Sequence, residues 1–217
     1  MNSDPDNALA SYLSAQDHFD NGKPEEAIQD LFASVNKPSF NDYSHFDIQS
    51  AEEMYLAAGN SPVESKILAV EQEYLPHLHK LHDLGIPLVK QLEAASARND
   101  TQTFYDLAQI GMRLGASVGH NEGVKATIHY VLGIDVQYRI LRTLQPDGQY
   151  PFLQSTPEEA IADLTARRQH IRHLRKNYGD LANAPKNDII GYFDPMKVHG
   201  EINALEWLTA KQAANFP

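Results

Sequence analysis

Ten histidines and no cysteine decide which chemistry this 217-residue chain can carry. Without thiols there is no disulfide framework, thiolate metal site, iron–sulfur cluster or cysteine nucleophile, which leaves imidazoles, carboxylates and amines. The histidines concentrate in two places: His77, His79 and His82 beside Glu71 and Glu73, and His170 with His173. At about 100° per helical residue, His77 and His79 point about 200° apart and cannot share an ion. His79 and His82 are separated by only about 60°, as are His170 and His173, so each pair has the spacing to supply two ligands from one helix face. Two such pairs facing each other would make a four-imidazole site. The matched Glu-x-x-His pairs of a di-iron bundle do not accompany them. The expectation is that these are surface histidines flanking apolar stripes and that the chain holds no metal and no cofactor. A small-molecule- or metal-binding bundle built on His79, His82, His170 and His173 is the alternative.

A second constellation is the basic run Arg167, Arg168, His170, Arg172, His173, Arg175 and Lys176. It has the charge to hold a phosphate, an anionic lipid or an acidic protein. Glu158, Glu159 and Asp163 begin the same segment, however, and acids first with bases last is the order a helix dipole favours without any ligand. Arg168, Arg172 and Arg175 are the members assigned here to partner binding. Phosphate-cradling glycine loops, Gly-x-Ser-x-Gly elbows and His-Glu-x-x-His are absent. Asp135, inside the most apolar segment, comes nearest to an isolated carboxylate, and Arg139 four residues on is positioned to pair with it. An enzyme whose residues converge only in three dimensions is a third reading.

The elements that must position these residues are helices. Apolar residues recur at three- and four-residue spacings and alternating β-branched runs are missing. A first helix, Ala8 to Asn21, stops at the breaker pair Asn21-Gly22. Pro24 opens a second with Glu25 and Glu26 in its first turn, running to about Asn36. Ala15 in the first helix, Gly22 in the turn, Ala27, Leu31 and Ser34 in the second follow a pattern that resembles a single tetratricopeptide repeat, a helix–turn–helix unit of about 34 residues. The resemblance spans about residues 8–39. Ser11 and Ser14 stand where that family prefers Trp and Leu, His18 where it prefers Tyr, and the closing proline is Pro38 rather than residue 39. It implies a helical hairpin with small residues at the crossing, and peptide binding. A loop over residues 38–47 carries Phe40, Tyr43 and Phe46, which are assigned to partner binding.

Further along, a third helix is expected from Ile48 to Ala58. Ser61-Pro62-Val63-Glu64 and Thr156-Pro157-Glu158-Glu159 are helix starts: a hydroxyl cap, Pro at the first position, Glu three after the cap. Residues 62–98 form one long helical region that Pro76 and Gly85-Ile86-Pro87 must kink or break. Asn99-Asp100-Thr101 caps a helix carrying Gly111, Gly115 and Gly119, with Gly123 continuing the four-residue spacing. Glycines so spaced share a face and admit a close neighbour. Its partner is expected over Glu122 to Leu144, with Val124, Ile128, Val131, Leu132, Ile134, Val136, Ile140, Leu141 and Leu144 too apolar to lie on a surface. A helix from Thr156 to about Tyr178 would end at Gly179. Residues 183–198, with Pro185, Gly191 and Pro195, are expected as a structured loop, and a last helix over Glu201 to Ala213 carries Trp207.

Charge is distributed unevenly. Residues 1–73 hold fourteen carboxylates and three lysines, so they carry the whole net charge of −11. Such a stretch repels phosphate backbones and attracts basic partners, which argues against nucleic acid. No apolar run approaches the roughly 20 residues of a membrane span. The first eight residues lack the basic and apolar regions of a signal peptide, which implies the cytoplasm if Met1 is native; if a signal was removed ahead of it, export follows. The expected protein is all-α, a single domain of about eight to ten helices in antiparallel hairpins, forming an irregular bundle or short solenoid. Its acidic tetratricopeptide-like part covers about residues 1–60 and a helical body covers 61–217. Its expected role is a non-catalytic module that binds a protein or peptide.

Overall fold

The computed structural model describes residues 4–71, 75–119, 126–176 and 185–215. Three- and four-residue apolar spacing produces helix throughout: eleven helices among the described residues and, in place of strands, one isolated bridge between Asn7 and Ser39. They are α1 (Leu9–Asp20), α2 (Pro24–Val35), α3 (Ser44–Ala57), α4 (Pro62–Glu71), α5 (Pro76–Asp83), α6 (Gly85–Ala97), α7 (Thr101–Gly119), α8 (Thr127–Leu141), α9 (Pro157–Arg175), α10 (Lys186–His199) and α11 (Glu201–Asn215). Among the described residues no helix is long and apolar enough to cross a membrane. The chain divides into two compact units. The first comprises Met1–Asn41, Pro76–Asn121 and His129–Arg168, and the second Asp42–Leu75, Glu122–Ile128 and Gln169–Pro217.

In the first unit α1 packs on α2 and α5, α5 on α6, α6 on α7, and α2 on α7. The α1–α2 hairpin buries Tyr12, Ala15, Ala27, Leu31 and Ser34. Gly22 makes its turn at φ +70°, a backbone geometry that costs a glycine nothing. Asn7 clasps the open end: its side chain donates to the Asn41 carbonyl at 2.7 Å and accepts from the Asn41 amide at 3.1 Å. The α7–α8 crossing is close. A Cβ on Gly115 would lie 2.6 Å from the Gly133 carbonyl oxygen, and one on Gly111 would lie 2.7 Å from the Ile140 side chain. The four-residue glycine series therefore does admit a neighbour, although Gly123 lies outside the described residues.

The second unit packs α3 on α4, α4 on α10 and α10 on α11 around Ile48, Ala69, Leu174, Ile189, Tyr192, Phe193, Met196, Leu205 and Leu208. Here the structure corrects the expected loop over 183–198. Of that stretch, 186–198 is helix α10, with Pro195 inside it. Ile189, Tyr192, Phe193 and Met196 recur on one face and are buried, and that burial outweighs the proline's missing donor. Gly191, one turn before Pro195, serves an approach: a Cβ there would meet the Trp207 ring at 2.6 Å.

Other boundaries moved less. The third helix starts at Ser44, four residues early, because the Asp42 carboxylate accepts from the Ser44 amide at 3.2 Å and its hydroxyl at 2.9 Å. The 62–98 region is three helices, with Pro76 opening α5 and Pro87 in the first turn of α6. In α8, Ile134, Val136, Ile140 and Leu141 are buried, as is Leu144 beyond its end, whereas Ile128 is exposed. Val124 and the Gly179 cap lie outside the described residues.

Candidate functional site

Several grooves and an ionic cluster bring polar and apolar groups together. The first groove belongs to the first unit and has a volume of about 350 Å³. Phe32 and Val35 of α2, with Asn36 after it, form one wall; Asp106, Gln109 and Ile110 of α7 form the other. Phe32 and Val35 are 38% and 41% exposed although they lie one turn apart on a helix whose other face is buried. Arg113 fixes this geometry. Its guanidinium donates to the Val35 carbonyl at 2.6 Å and the Lys37 carbonyl at 2.7 Å, and so answers the acceptors left open at the end of α2.

The second groove belongs to the second unit, has a volume of about 210 Å³, and is lined by Ile48, Gln49, Glu52, Glu53 and Leu56 of α3 with Lys197 of α10. Glu52 is buried and serves two lysines. Its Oε1 lies 3.1 Å from Lys66 Nζ, while its Oε2 contacts Lys197 Nζ. Lys66 also pairs with Asp194 at 2.7 Å. Burial pushes the Lys197 ammonium below the ordinary lysine value.

The ionic cluster, in the first unit, is built on His82. Its Nδ1 lies 3.1 Å from Asp83, and its Nε2 lies 2.9 Å from Asp135 and 3.0 Å from Arg139. Arg139 Nε donates to the same Asp135 oxygen at 2.8 Å, so the expected Asp135–Arg139 pair forms and gains a histidine. A ring hydrogen on Nδ1 goes to Asp83 and leaves Nε2 to accept from Arg139; a hydrogen on Nε2 goes to Asp135 instead.

Of the four histidines of the alternative reading, His79 and His82 share Asp83, while His170 pairs with Glu206. His79 is exposed and sits 3.3 Å from Asp83, His170 lies 2.9 Å from Glu206, and His173 is exposed. Among the described residues no three His, Asp or Glu side chains are grouped to hold a metal ion. Of the aromatic loop, Phe40 is buried with its ring centroid 6.3 Å from that of Tyr12, whereas Tyr43 and Phe46 are exposed and tilt against each other at 6.4 Å. Arg172 and Arg175 are exposed and Arg168 is half-buried.

The groove residues themselves escaped the sequence reading. Phe32 and Val35, three apart beside the Ala27–Leu31–Ser34 stripe, widen the apolar face of α2 beyond what one neighbour covers, and that was the available signal. Glu52, Lys66 and Lys197 are far apart in the chain, and no spacing rule joins them. No family model, no curated protein and no solved structure matches the chain.

Proposed function

We propose that the protein is a non-catalytic peptide-binding module, and that the α2–α7 groove takes a basic segment carrying apolar side chains. The exposure of Phe32 and Val35 over a groove with fixed walls carries this reading, because large apolar side chains left facing water at a concave surface mark contact sites. Charge selects the partner. Residues 1–41 hold seven carboxylates against Lys23 and Lys37, and Asp106 lines the groove itself. Such a surface favours lysine and arginine and repels a nucleic-acid backbone. The tetratricopeptide-like pattern of the α1–α2 hairpin supports the same reading.

The test uses a fluorescein-labelled amphipathic Lys/Leu peptide and its Glu/Leu counterpart, titrated with the protein by polarisation. The Lys/Leu peptide is expected to bind, more weakly as salt rises, and Phe32→Ala to lose about tenfold in affinity, as truncating an aromatic anchor does. Equal binding of both peptides, or full affinity in Phe32→Ala, contradicts the proposal.

A further inference from the structure

In the second unit, Glu52 and the two lysines that share it make an arrangement that peptide binding does not use. Lys66 is half-buried and has two carboxylates, Glu52 at 3.1 Å and Asp194 at 2.7 Å, so its charge is fully answered. Lys197 has the second oxygen of Glu52, a carboxylate that Lys66 already engages. The charged groups around Lys197 are thus Glu52, which pairs with it, Glu53, which lines the same groove, and Lys66, which shares Glu52 and pairs in turn with Asp194. A second ammonium around one carboxylate, in a site that water reaches only partly, is how proteins keep an amine available as a nucleophile. Desolvation acts in the same direction, lowering the Lys197 ammonium below its ordinary value. Lys197 also opens onto something: the groove of about 210 Å³ whose walls include Ile48 and Leu56, room for a molecule of a few carbon atoms.

We propose that Lys197 is a reactive amine that condenses with a small aldehyde or ketone seated in this groove, with Glu52 carrying the proton. The steps balance. The Lys197 ammonium gives a proton to Glu52 and its nitrogen lone pair adds to the carbonyl carbon, forming a C–N bond as the C=O π electrons move to oxygen. A proton passes from nitrogen to that oxygen, giving a carbinolamine. Glu52 returns its proton to the hydroxyl, the C–O bond breaks and water leaves, and the nitrogen lone pair forms the C=N bond of a protonated imine. One carbonyl compound is consumed, one water is released, and Glu52 ends as the carboxylate it began as. Nothing is oxidised or reduced.

The experiment treats the full chain with propanal at limiting concentration and sodium cyanoborohydride near neutral pH, and reads propylation of each lysine by peptide mass spectrometry. Lys23, Lys90 and Lys176 are exposed and serve as internal references. Lys197 is expected to react severalfold faster than they do, since an amine held below its ordinary value has a larger free fraction at the same pH. A rate at Lys197 equal to or below theirs overturns the proposal. In Glu52→Gln the Lys197 rate should fall toward the reference rate while the references hold. An unchanged or raised rate removes Glu52 from the mechanism. Glu52→Asp, which keeps the charge and withdraws the oxygen, makes the same comparison if the amide variant loosens the unit, and the wild-type competition decides the reactivity of Lys197 without any variant. Because the site and the readout differ from those of the peptide groove, either proposal can fail without the other.

Discussion

Gly115 and Gly133 set how closely α7 and α8 approach, and each forbids a side chain to the other. A Cβ on Gly133 would come within 2.9 Å of the Gly119 amide nitrogen, while one on Gly119 would find nothing nearer than 3.9 Å. Gly115→Ala is therefore expected to lower stability by about 1–3 kcal/mol in denaturant titration, despite alanine's better helix propensity, and Gly119→Ala to leave it unchanged or raised. Equal effects from the two variants would refute the crossing. The four-residue glycine spacing was legible on α7, whereas Gly133 across the crossing was not, because one glycine on a helix has no period. Asp100 makes a separate residue-scale prediction. Hydrogen bonds from the Thr103 hydroxyl and amide hold its carboxyl below the ordinary aspartate value. A carboxyl depressed in the folded state contributes stability that is complete above the unfolded value and is lost as pH falls through the folded one. Asp100→Asn keeps the capping oxygen and removes the charge. The stability gap between wild type and Asp100→Asn should be constant at neutral pH and close in acid below the ordinary aspartate range; a gap that widens there contradicts the assignment.

Helix starts were the most readable elements, because a cap acts within four residues. Ser61 and Thr156 each close the reciprocal bonds their sequences announce: Glu64 and Glu159 amides donate to the hydroxyls at 3.3 Å, and the Glu64 and Glu159 carboxylates accept from the Ser61 and Thr156 amides at 3.0 Å. The start of α8 was unreadable for the opposite reason. Its cap comes from another helix: Glu201, the first residue of α11, accepts from the Thr127 amide at 2.5 Å and from the Tyr192 hydroxyl at 3.2 Å. A buried carboxylate at a helix N-terminus also meets the positive end of the dipole. Glu201→Ala leaves both donors without this acceptor and is expected to cost about 1–3 kcal/mol, with faster hydrogen exchange at the Thr127 amide. Unchanged exchange there would show that Glu201 does not hold this end. Helix α10 was misread because Pro185, Gly191 and Pro195 outweighed the recurrence of Ile189, Tyr192, Phe193 and Met196, a pattern whose value depends on having a core to face.

At the scale of the whole chain, composition and periodicity were enough for an all-α architecture, and the −11 charge was legible as belonging to the first third. The partition into units was not, because the chain crosses from one unit to the other five times. A fragment ending at residue 168 keeps all three segments of the first unit but loses Leu174, Ile189, Tyr192, Phe193, Met196, Leu205 and Leu208 from the core of the second. Limited proteolysis of that fragment should cut within 42–75 and spare α1 and α2; protection of 42–75 would show that these residues do not depend on the C-terminal helices. The same interleaving governs how the protein is made. Segments that fold early on the ribosome are those whose partners have already emerged. Here the α1–α2 hairpin can close at once, with Asn7 gripping Asn41, and α7 can settle on α6, but its glycine face waits for α8, and the paired α3 and α4 wait for α10. Until α10 and α11 have been synthesised, Ile48 and Ala69 therefore lack the rest of their core, and this nascent stretch is apolar chain that a chaperone can hold.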